Sequence, residues 1–94
     1  MTNTPHTNEN LTVHFQVKDY AAWRTSYDGN EKGRVSAGIT NGRVFRSAND
    51  PNDLVILQDA ADVAKARTWL TSDDMKATMQ KSGVLGSPSI RFAA

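Results

Sequence analysis

The feature that most constrains this chain is a run of four consecutive apolar residues, Leu-Val-Ile-Leu, at positions 54–57. Successive side chains of a β-strand point to opposite faces of the sheet, so a strand with this sequence is apolar on both faces. A chain of 94 residues has room for one domain with one modest core. Both faces of this strand therefore need a cover, which must come from the chain itself or from a partner.

Residues 11–17 alternate strictly between apolar and polar side chains, which is typical of a half-buried strand. The apolar positions are Leu11, Val13, Phe15 and Val17. The segment before this strand contains one apolar side chain, Met1, which is too little to offset the entropy cost of ordering it. We therefore predict a flexible tail over residues 1–10 and a single folded domain over residues 11–94.

A helix is predicted after the first strand. Its start is marked by Asp19, whose carboxylate can accept hydrogen bonds from amides of the first turn. Its aromatic stripe consists of Tyr20, Trp23 and Tyr27. Gly29 and Gly33 lower the helix propensity of the second half, and Ala37-Gly38 predicts the end of the helix.

Residues 39–48 and 54–59 predict two strands joined by a loop around Pro51. Proline flanked by Asn and Asp residues favours a tight turn, so the two strands should be antiparallel neighbours. Val44 and Phe45 are adjacent apolar residues, which point to opposite faces of the first of these strands. The hairpin thus also places apolar side chains on both faces of the sheet, and both faces must be shielded from water.

Asp62 and Ser72 are predicted to cap two short helices. Residues 84–88 are predicted to form a loop, and residues 89–93 to form a last strand. The resulting order is the ferredoxin-like βαββαβ arrangement, an α+β fold with one antiparallel sheet and helices on one face. No element remains to cover the second face, so a second copy of the chain is the economical cover. We therefore predict a homodimer.

Three segments resemble small bacterial members of the dimeric α+β barrel superfamily: residues 13–23, 43–55 and 79–84. The resemblance covers residues 11–93. It implies two ferredoxin-like sheets packed face to face into a barrel, with small-molecule pockets between sheet and helices. The superfamily includes antibiotic-biosynthesis monooxygenases, muconolactone isomerases and haem enzymes, and the matching segments are specific for the fold rather than for one reaction.

The only histidine of the predicted domain, His14, shares the polar face of the first strand with Gln16. A histidine there could act as a general base, ligate a metal or form part of a pocket wall. No second histidine, HExxH pattern or cysteine accompanies it in the domain, so we predict no metal site. A haem is disfavoured because residues 60–87, where related haem enzymes place an axial histidine, contain none.

Trp23 and Tyr27 are pocket candidates because ligand pockets are largely aromatic; the alternative is that they anchor their helix to the sheet. Arg43 and Arg46 lie three residues apart, so at most one of them enters the barrel. An inward arginine would suit an acidic or enol-bearing ligand, whereas an outward one would be an exposed edge-strand charge. The predicted pocket residues are His14, Gln16, Trp23, Tyr27 and Arg43, and no catalytic residue is assigned.

Eleven basic and ten acidic side chains leave a net charge of +1, so no field attracts nucleic acid or an anionic membrane. The absence of cysteine and of a signal-peptide pattern predicts a cytoplasmic protein. Nucleotide-binding and hydrolase motifs are absent, and no cofactor is predicted. We expect binding of a small, mostly apolar organic molecule, with cofactor-independent monooxygenase or isomerase-like turnover as one form of this function. The alternative is a non-enzymatic dimer whose barrel is filled by side chains.

Overall fold

Residues 9–93, which the computed structural model describes, form four strands and four helices. In chain order these are β1 (Glu9–Val17), α1 (Tyr20–Gly29), α2 (Glu31–Ser36), β2 (Ile39–Arg46), β3 (Asp53–Ala60), α3 (Val63–Leu70), α4 (Asp73–Lys81) and β4 (Val84–Ala93). The strands form one antiparallel sheet in the order β2-β3-β1-β4, and the helices cover one face. The predicted ferredoxin-like βαββαβ fold is confirmed, with each helical connection divided into two helices.

The core lies between the helices and one face of the sheet. β1 contributes its buried side chains Leu11, Val13, Phe15 and Val17. In β3, Leu54 and Ile56 point into the same core. Val55 and Leu57 lie on the opposite face, where Val55 is the cross-strand neighbour of His14. This second face, here called the open face, has no cover within residues 9–93, so the two-sided apolar character of β3 is confirmed.

The predicted helix starts are fixed by side-chain caps. The Asp19 carboxylate accepts a hydrogen bond from the Ala21 amide at 3.1 Å, and the Asp62 carboxylate accepts one from the Lys65 amide at 3.1 Å. The Ser72 hydroxyl caps α4 in the same way. These caps satisfy amides of the first turn that have no partner within the helix, so each helix begins where its cap stands.

The glycine-weakened half of the first predicted helix forms a separate short helix. α1 ends at Gly29, and α2 begins after Asn30, whose amide donates to the Tyr27 carbonyl oxygen at 3.1 Å. Gly38, with φ of +78°, follows α2 in the left-handed conformation that glycine adopts without steric cost. The bend at Asn30 places Arg34 of α2 beside Tyr27 of α1.

The structure corrects the last strand. Residues 84–88, which were predicted as a loop, belong to β4, because Val84 and Leu85 pair with Val17 and Gln16 of β1. Gly86 and its neighbours are accommodated by a shift in register between these pairs and the pair of His14 with Ser89. Glycine and proline favour a turn locally, but an irregular edge strand also tolerates them.

The first strand also begins earlier than expected. Glu9 and Asn10, predicted as the end of the flexible tail, pair with Ala60 and Asp59 of β3. The rest of the predicted tail, residues 1–8, lies outside the described residues, as does Ala94. β2 ends at Arg46 rather than at residue 48.

A bulge in β2 shapes the edge of the sheet near the helices. Thr40 pairs with Asp59 and Arg43 pairs with Leu57, so two residues, Asn41 and Gly42, lie opposite Gln58. Asn41 adopts a φ of +56°, and its side-chain amide donates to Asp59 at 2.7 Å. Gly42 leaves space for the Tyr27 hydroxyl, since a Cβ at this position would lie 2.5 Å from that oxygen.

Candidate ligand-binding cleft

An apolar cleft lies between the sheet and the helices. Its floor comes from β1 and β3, and its walls include Trp23, Tyr27, Trp69, Met75 and Met79. The empty space is about 560 Å³ including the open mouth, and about 60 Å³ of it is wide enough for the centre of a water molecule. One water needs roughly 10–15 Å³ of such space, so the cleft in this conformation has room for a few waters. A ring-sized ligand would require the flexible methionine walls to move.

The aromatic stripe of α1 serves both as an anchor and as a wall. Trp23 is only 4% exposed and contacts Phe15 of β1, with ring centroids 5.4 Å apart. The Tyr27 ring stacks on Trp23 at 4.9 Å, with an angle of 27° between the planes. Trp23 therefore fastens α1 to the sheet, and the half-buried Tyr27 extends the aromatic surface toward the mouth.

Tyr27, Arg34 and Gln58 meet where this cleft adjoins a second, more polar cleft beside β2. The Tyr27 hydroxyl donates a long hydrogen bond of 3.4 Å to Gln58 Oε1. The Arg34 guanidinium carbon lies 3.6 Å from the centroid of the Tyr27 ring, and Nη1 donates to the Tyr27 carbonyl oxygen at 2.6 Å.

The Tyr27 phenol is kept neutral by its surroundings. Burial raises the pKa of Tyr27 above its usual value of about 10, although the positive charges of Arg34 and Arg24 act in the opposite direction. The hydroxyl therefore keeps its proton at physiological pH. It can act as a hydrogen-bond donor to a ligand or to Gln58, and it is a poor base.

The structure divides the five predicted pocket residues between the two faces of the sheet. Trp23 and Tyr27 line the cleft. His14, Gln16 and Arg43 lie on the open face, because their cross-strand neighbours in β3 are Val55, Asp53 and Leu57. The sheet separates the two groups, so a tyrosine hydroxyl of α1 cannot satisfy His14 or Gln16. The five residues do not form one site within this chain.

His14 has a partner on the open face. Its Nε2 lies 2.7 Å from Asp53 Oδ1, and its side chain is 54% exposed. An exposed pair of this kind contributes about 0–1 kcal/mol to stability. Within one chain, His14 is therefore a surface residue held by a carboxylate, and no described residue encloses it in a pocket.

The two arginines of β2 lie on opposite faces of the sheet. Arg43 lies on the open face opposite Leu57, where a second copy of the sheet would meet it. Arg46 stacks over the Tyr20 ring at 3.8 Å and donates from Nε to the Pro51 carbonyl oxygen at 3.0 Å. Arg46 therefore secures the β2–β3 loop against α1, and Arg43 is the arginine that lies on the open face.

Sequence reasoning missed Asn30, Arg34 and Gln58 as residues of the cleft. Gln58 could have been found from the sequence, because it stands two residues after Ile56 and is therefore a polar residue on the same face of an apolar strand. Arg34 and Asn30 offered no such signal, since the bend between α1 and α2 brings them to Tyr27.

Within residues 9–93, no group of three or more His, Asp or Glu side chains is arranged to hold a metal ion. None of the described helices is long and apolar enough to cross a membrane. The residues lining the cleft are mostly aromatic and aliphatic, with a few hydroxyl, amide and guanidinium groups, which suits a small organic ligand.

No protein-family model matches the sequence, and no curated protein matches it. The fold is similar to that of several solved structures. A protein from Bordetella bronchiseptica, described as a candidate antibiotic biosynthesis monooxygenase, has a TM-score of 0.74 at 13% identity, with 94% of this chain and 97% of that chain covered. One from Nitrosomonas europaea with the same description has a TM-score of 0.68 at 11% identity, covering 99% and 94%.

A cofactor-independent oxygenase from Streptomyces nogalater has a TM-score of 0.67 at 12% identity, covering 93% of each chain. Identities this low show a common fold and leave the activity open. The described part of the chain thus has the ferredoxin-like fold of the antibiotic biosynthesis monooxygenase-like proteins.

Proposed function

We propose that this protein is a dimeric α+β barrel that binds a small, mostly apolar organic molecule between its sheet and its helices. The observation that supports the proposal best is the cleft lined by both tryptophans, by Tyr27 and by two methionines. Three of its polar groups, those of Tyr27, Arg34 and Gln58, meet where it adjoins the second cleft. Such a site favours a ligand with an apolar ring and a polar edge.

We further propose that turnover, where it occurs, needs no metal, flavin or haem. An electron-rich aromatic ligand can itself supply the electrons that reduce O2, with one oxygen atom entering the product and the other leaving as water. An isomerisation is redox-neutral and needs no electron donor. The cleft would orient the ligand and exclude water, and the neutral Tyr27 phenol would hydrogen-bond to an oxygen of the ligand. The similarity in fold to a cofactor-independent oxygenase supports this form of the proposal.

The homodimer would use the open face. Phe45 and Leu85 are each 48% exposed there; Phe45 is the cross-strand neighbour of Val55, and Leu85 is that of Gln16. A second copy packed on this face would remove these apolar side chains from water and close the barrel. His14, Gln16 and Arg43 would then line its interior, so these three residues keep a proposed role at the interface.

The alternative is a non-enzymatic dimeric protein. The observation that favours it is the narrowness of the cleft, about 60 Å³ of usable space against the 300–1,000 Å³ of typical ligand pockets. The two proposals differ in whether the walls of the cleft open for a ligand.

For either form we propose a cytoplasmic location, because the sequence has no cysteine. We expect neither nucleic acid nor a membrane as partner, because the net charge is +1.

The test is a binding screen with a variant that fills the cleft. Small aromatic and quinone-like compounds are added to the wild type, and tryptophan fluorescence and thermal melting are recorded. Both tryptophans line the cleft, so a ligand there should change the fluorescence and raise the melting temperature. Ser26→Phe places a ring in the cleft and should abolish the response, whereas Thr25→Phe, at an exposed neighbouring position, should preserve it.

Oxygen uptake or a changed product with a compound that binds would identify turnover. A wild type that responds to no compound would reject the small-molecule proposal and favour the non-enzymatic dimer. A response that Ser26→Phe leaves intact would place binding outside the cleft.

A further inference from the structure

We propose that Gln58 selects the ligand of the cleft by donating a hydrogen bond to a carbonyl or similar acceptor oxygen. This inference rests on the proposed function and deepens it, since it names the chemical group that the site recognises and the residue that recognises it. It is carried by the burial and the hydrogen bonding of one side chain.

Gln58 is the only buried polar side chain among residues 9–93, and it is 6% exposed. It occupies an inward position of β3 that follows Leu54 and Ile56, where a leucine or valine would satisfy the core. Burying an amide in apolar surroundings is unfavourable unless both of its ends are hydrogen-bonded. The buried Gln58 amide therefore needs hydrogen-bond partners for both its oxygen and its NH2 group.

The partners available within the described residues are incomplete. Gln58 Oε1 accepts one long hydrogen bond, 3.4 Å, from the Tyr27 hydroxyl. The side-chain Nε2 group, which carries two donor hydrogens, has no acceptor among residues 9–93. Some other polar side chains of the cleft are engaged locally: the Ser82 hydroxyl donates to the Met79 carbonyl oxygen and the Thr78 hydroxyl to the Asp74 carbonyl oxygen, each at 3.0 Å. The Gln58 amide is thus a buried donor of the cleft without an acceptor among residues 9–93.

The position of Gln58 determines what its partner must be. It borders the apolar cleft together with Trp23 and Ile56, and it also borders the polar cleft beside β2 with Thr40 and Asn41. The space is wide enough for water, which can satisfy the amide when no ligand is bound. A ligand that displaces the water must replace its hydrogen bond, so an acceptor oxygen on an apolar ring fits and a hydrocarbon does not.

Arg34 and Tyr27 reinforce this preference. Arg34 places a positive charge at the same junction, stacked on the Tyr27 ring. Its charge and the neutral Tyr27 hydroxyl both favour an oxygen with partial negative charge, such as that of a ketone or an enolate.

The test compares two probes of the same shape. Acetophenone carries a carbonyl oxygen, and α-methylstyrene carries a methylene group in its place. Binding of each is followed by amide proton and nitrogen chemical shifts of the uniformly labelled protein. In the wild type, acetophenone should shift the Gln58 side-chain NH2 resonances and α-methylstyrene should leave them in place.

Gln58→Leu and Gln58→Met remove the amide and retain the volume. We expect either variant to weaken acetophenone binding about fivefold to tenfold, the equivalent of one hydrogen bond, and to leave α-methylstyrene binding unchanged. Gln16→Leu, on the open face, is the matched control and should alter neither affinity. Two variants are used so that a misfolded one does not decide the result.

The outcomes separate this inference from the proposed function. If both probes bind the wild type and the ratio of their affinities is the same in Gln58→Leu and Gln58→Met, the role of Gln58 is rejected and the cleft remains a binding site. If neither probe binds the wild type at millimolar concentration, both proposals are contradicted.

Discussion

At the scale of single residues, Tyr27 joins the core to the cleft. Its ring stacks on Trp23 and also contacts the Arg34 guanidinium, while its hydroxyl reaches Gln58. Each contact comes from a different element, so Tyr27 links α1, α2 and β3. Burial raises the pKa of its phenol, which makes Tyr27 a titratable probe of this junction.

The raised pKa predicts a loss of stability in alkali. Below a pH of about 10, Tyr27 is protonated in both the folded and the unfolded state. As the pH rises through that value, the unfolded chain releases the proton first, so the free energy of unfolding falls until the folded state also releases it. Urea unfolding at pH of about 9 and about 11 should show a smaller loss in Tyr27→Phe than in the wild type.

Tyr20→Phe, which retains the Tyr27 hydroxyl, is the control. This variant should still show the alkaline fall in the free energy of unfolding that Tyr27 causes. An equal alkaline loss in the wild type and in Tyr27→Phe would contradict the burial of this phenol. An absorbance titration of the tyrosinate near 295 nm provides an independent reading.

At the scale of elements, the bulge of β2 and the bend between α1 and α2 build the polar side of the cleft. The bulge sets Asn41 and Gly42 opposite Gln58, and the missing side chain of Gly42 admits the Tyr27 hydroxyl. The bend brings Arg34 back over Tyr27. Both irregularities shape the cleft.

Gly42→Ala tests the contact between these elements. The new Cβ would lie 2.5 Å from the Tyr27 hydroxyl, so the ring must shift against Trp23 and Arg34, at a cost of about 1–3 kcal/mol of stability. In the Tyr27→Phe background the cost should be smaller, because the crowded oxygen is gone. Chemical denaturation of the four proteins of this double-mutant cycle measures the difference.

Gly29→Ala provides the control at the end of α1, where no atom lies within 4 Å of the new Cβ. Alanine is favoured over glycine in a helix by about 0.5–1 kcal/mol, so this variant should be neutral or slightly more stable. A Gly42→Ala variant as stable as the wild type would show that Tyr27 is not confined by β2.

At the scale of the whole molecule, the sheet divides β3 between two roles. Ile56, 4% exposed, belongs to the core beneath the helices, and Val55 belongs to the open face proposed as the dimer interface. These neighbours in sequence should respond to the same substitution in different ways. Their comparison tests the dimer without relying on stability alone.

Val55→Asp should yield a folded monomer, because the carboxylate remains in water when the second copy is lost. Ile56→Asp should unfold the chain, since an unpaired buried charge costs roughly 3–5 kcal/mol out of a total of about 5–14 kcal/mol for a domain of this size. Sedimentation velocity reports the mass and far-ultraviolet circular dichroism the fold. A wild type that sediments as a monomer at about 10 μM, or a Val55→Asp variant that remains dimeric, would contradict the interface.

Local interactions explain what the sequence by itself determined. The caps Asp19, Asp62 and Ser72 and the alternation of β1 act within a few residues, and they set the order and type of the elements and hence the ferredoxin-like fold. The two-sided apolar run 54–57 likewise follows from the period of a strand.

Only the tertiary structure decided which face each side chain occupies and what it meets there. It assigned Ile56 to the core and Val55 to the open face, separated His14 from Tyr27 by the thickness of the sheet, and included residues 84–88 in β4 through pairing with β1. It also placed Gln58 at the junction of Tyr27 and the β2 bulge. These features depend on register and on contacts between distant segments, and a local pattern is compatible with either face until the strands are paired and the helices packed.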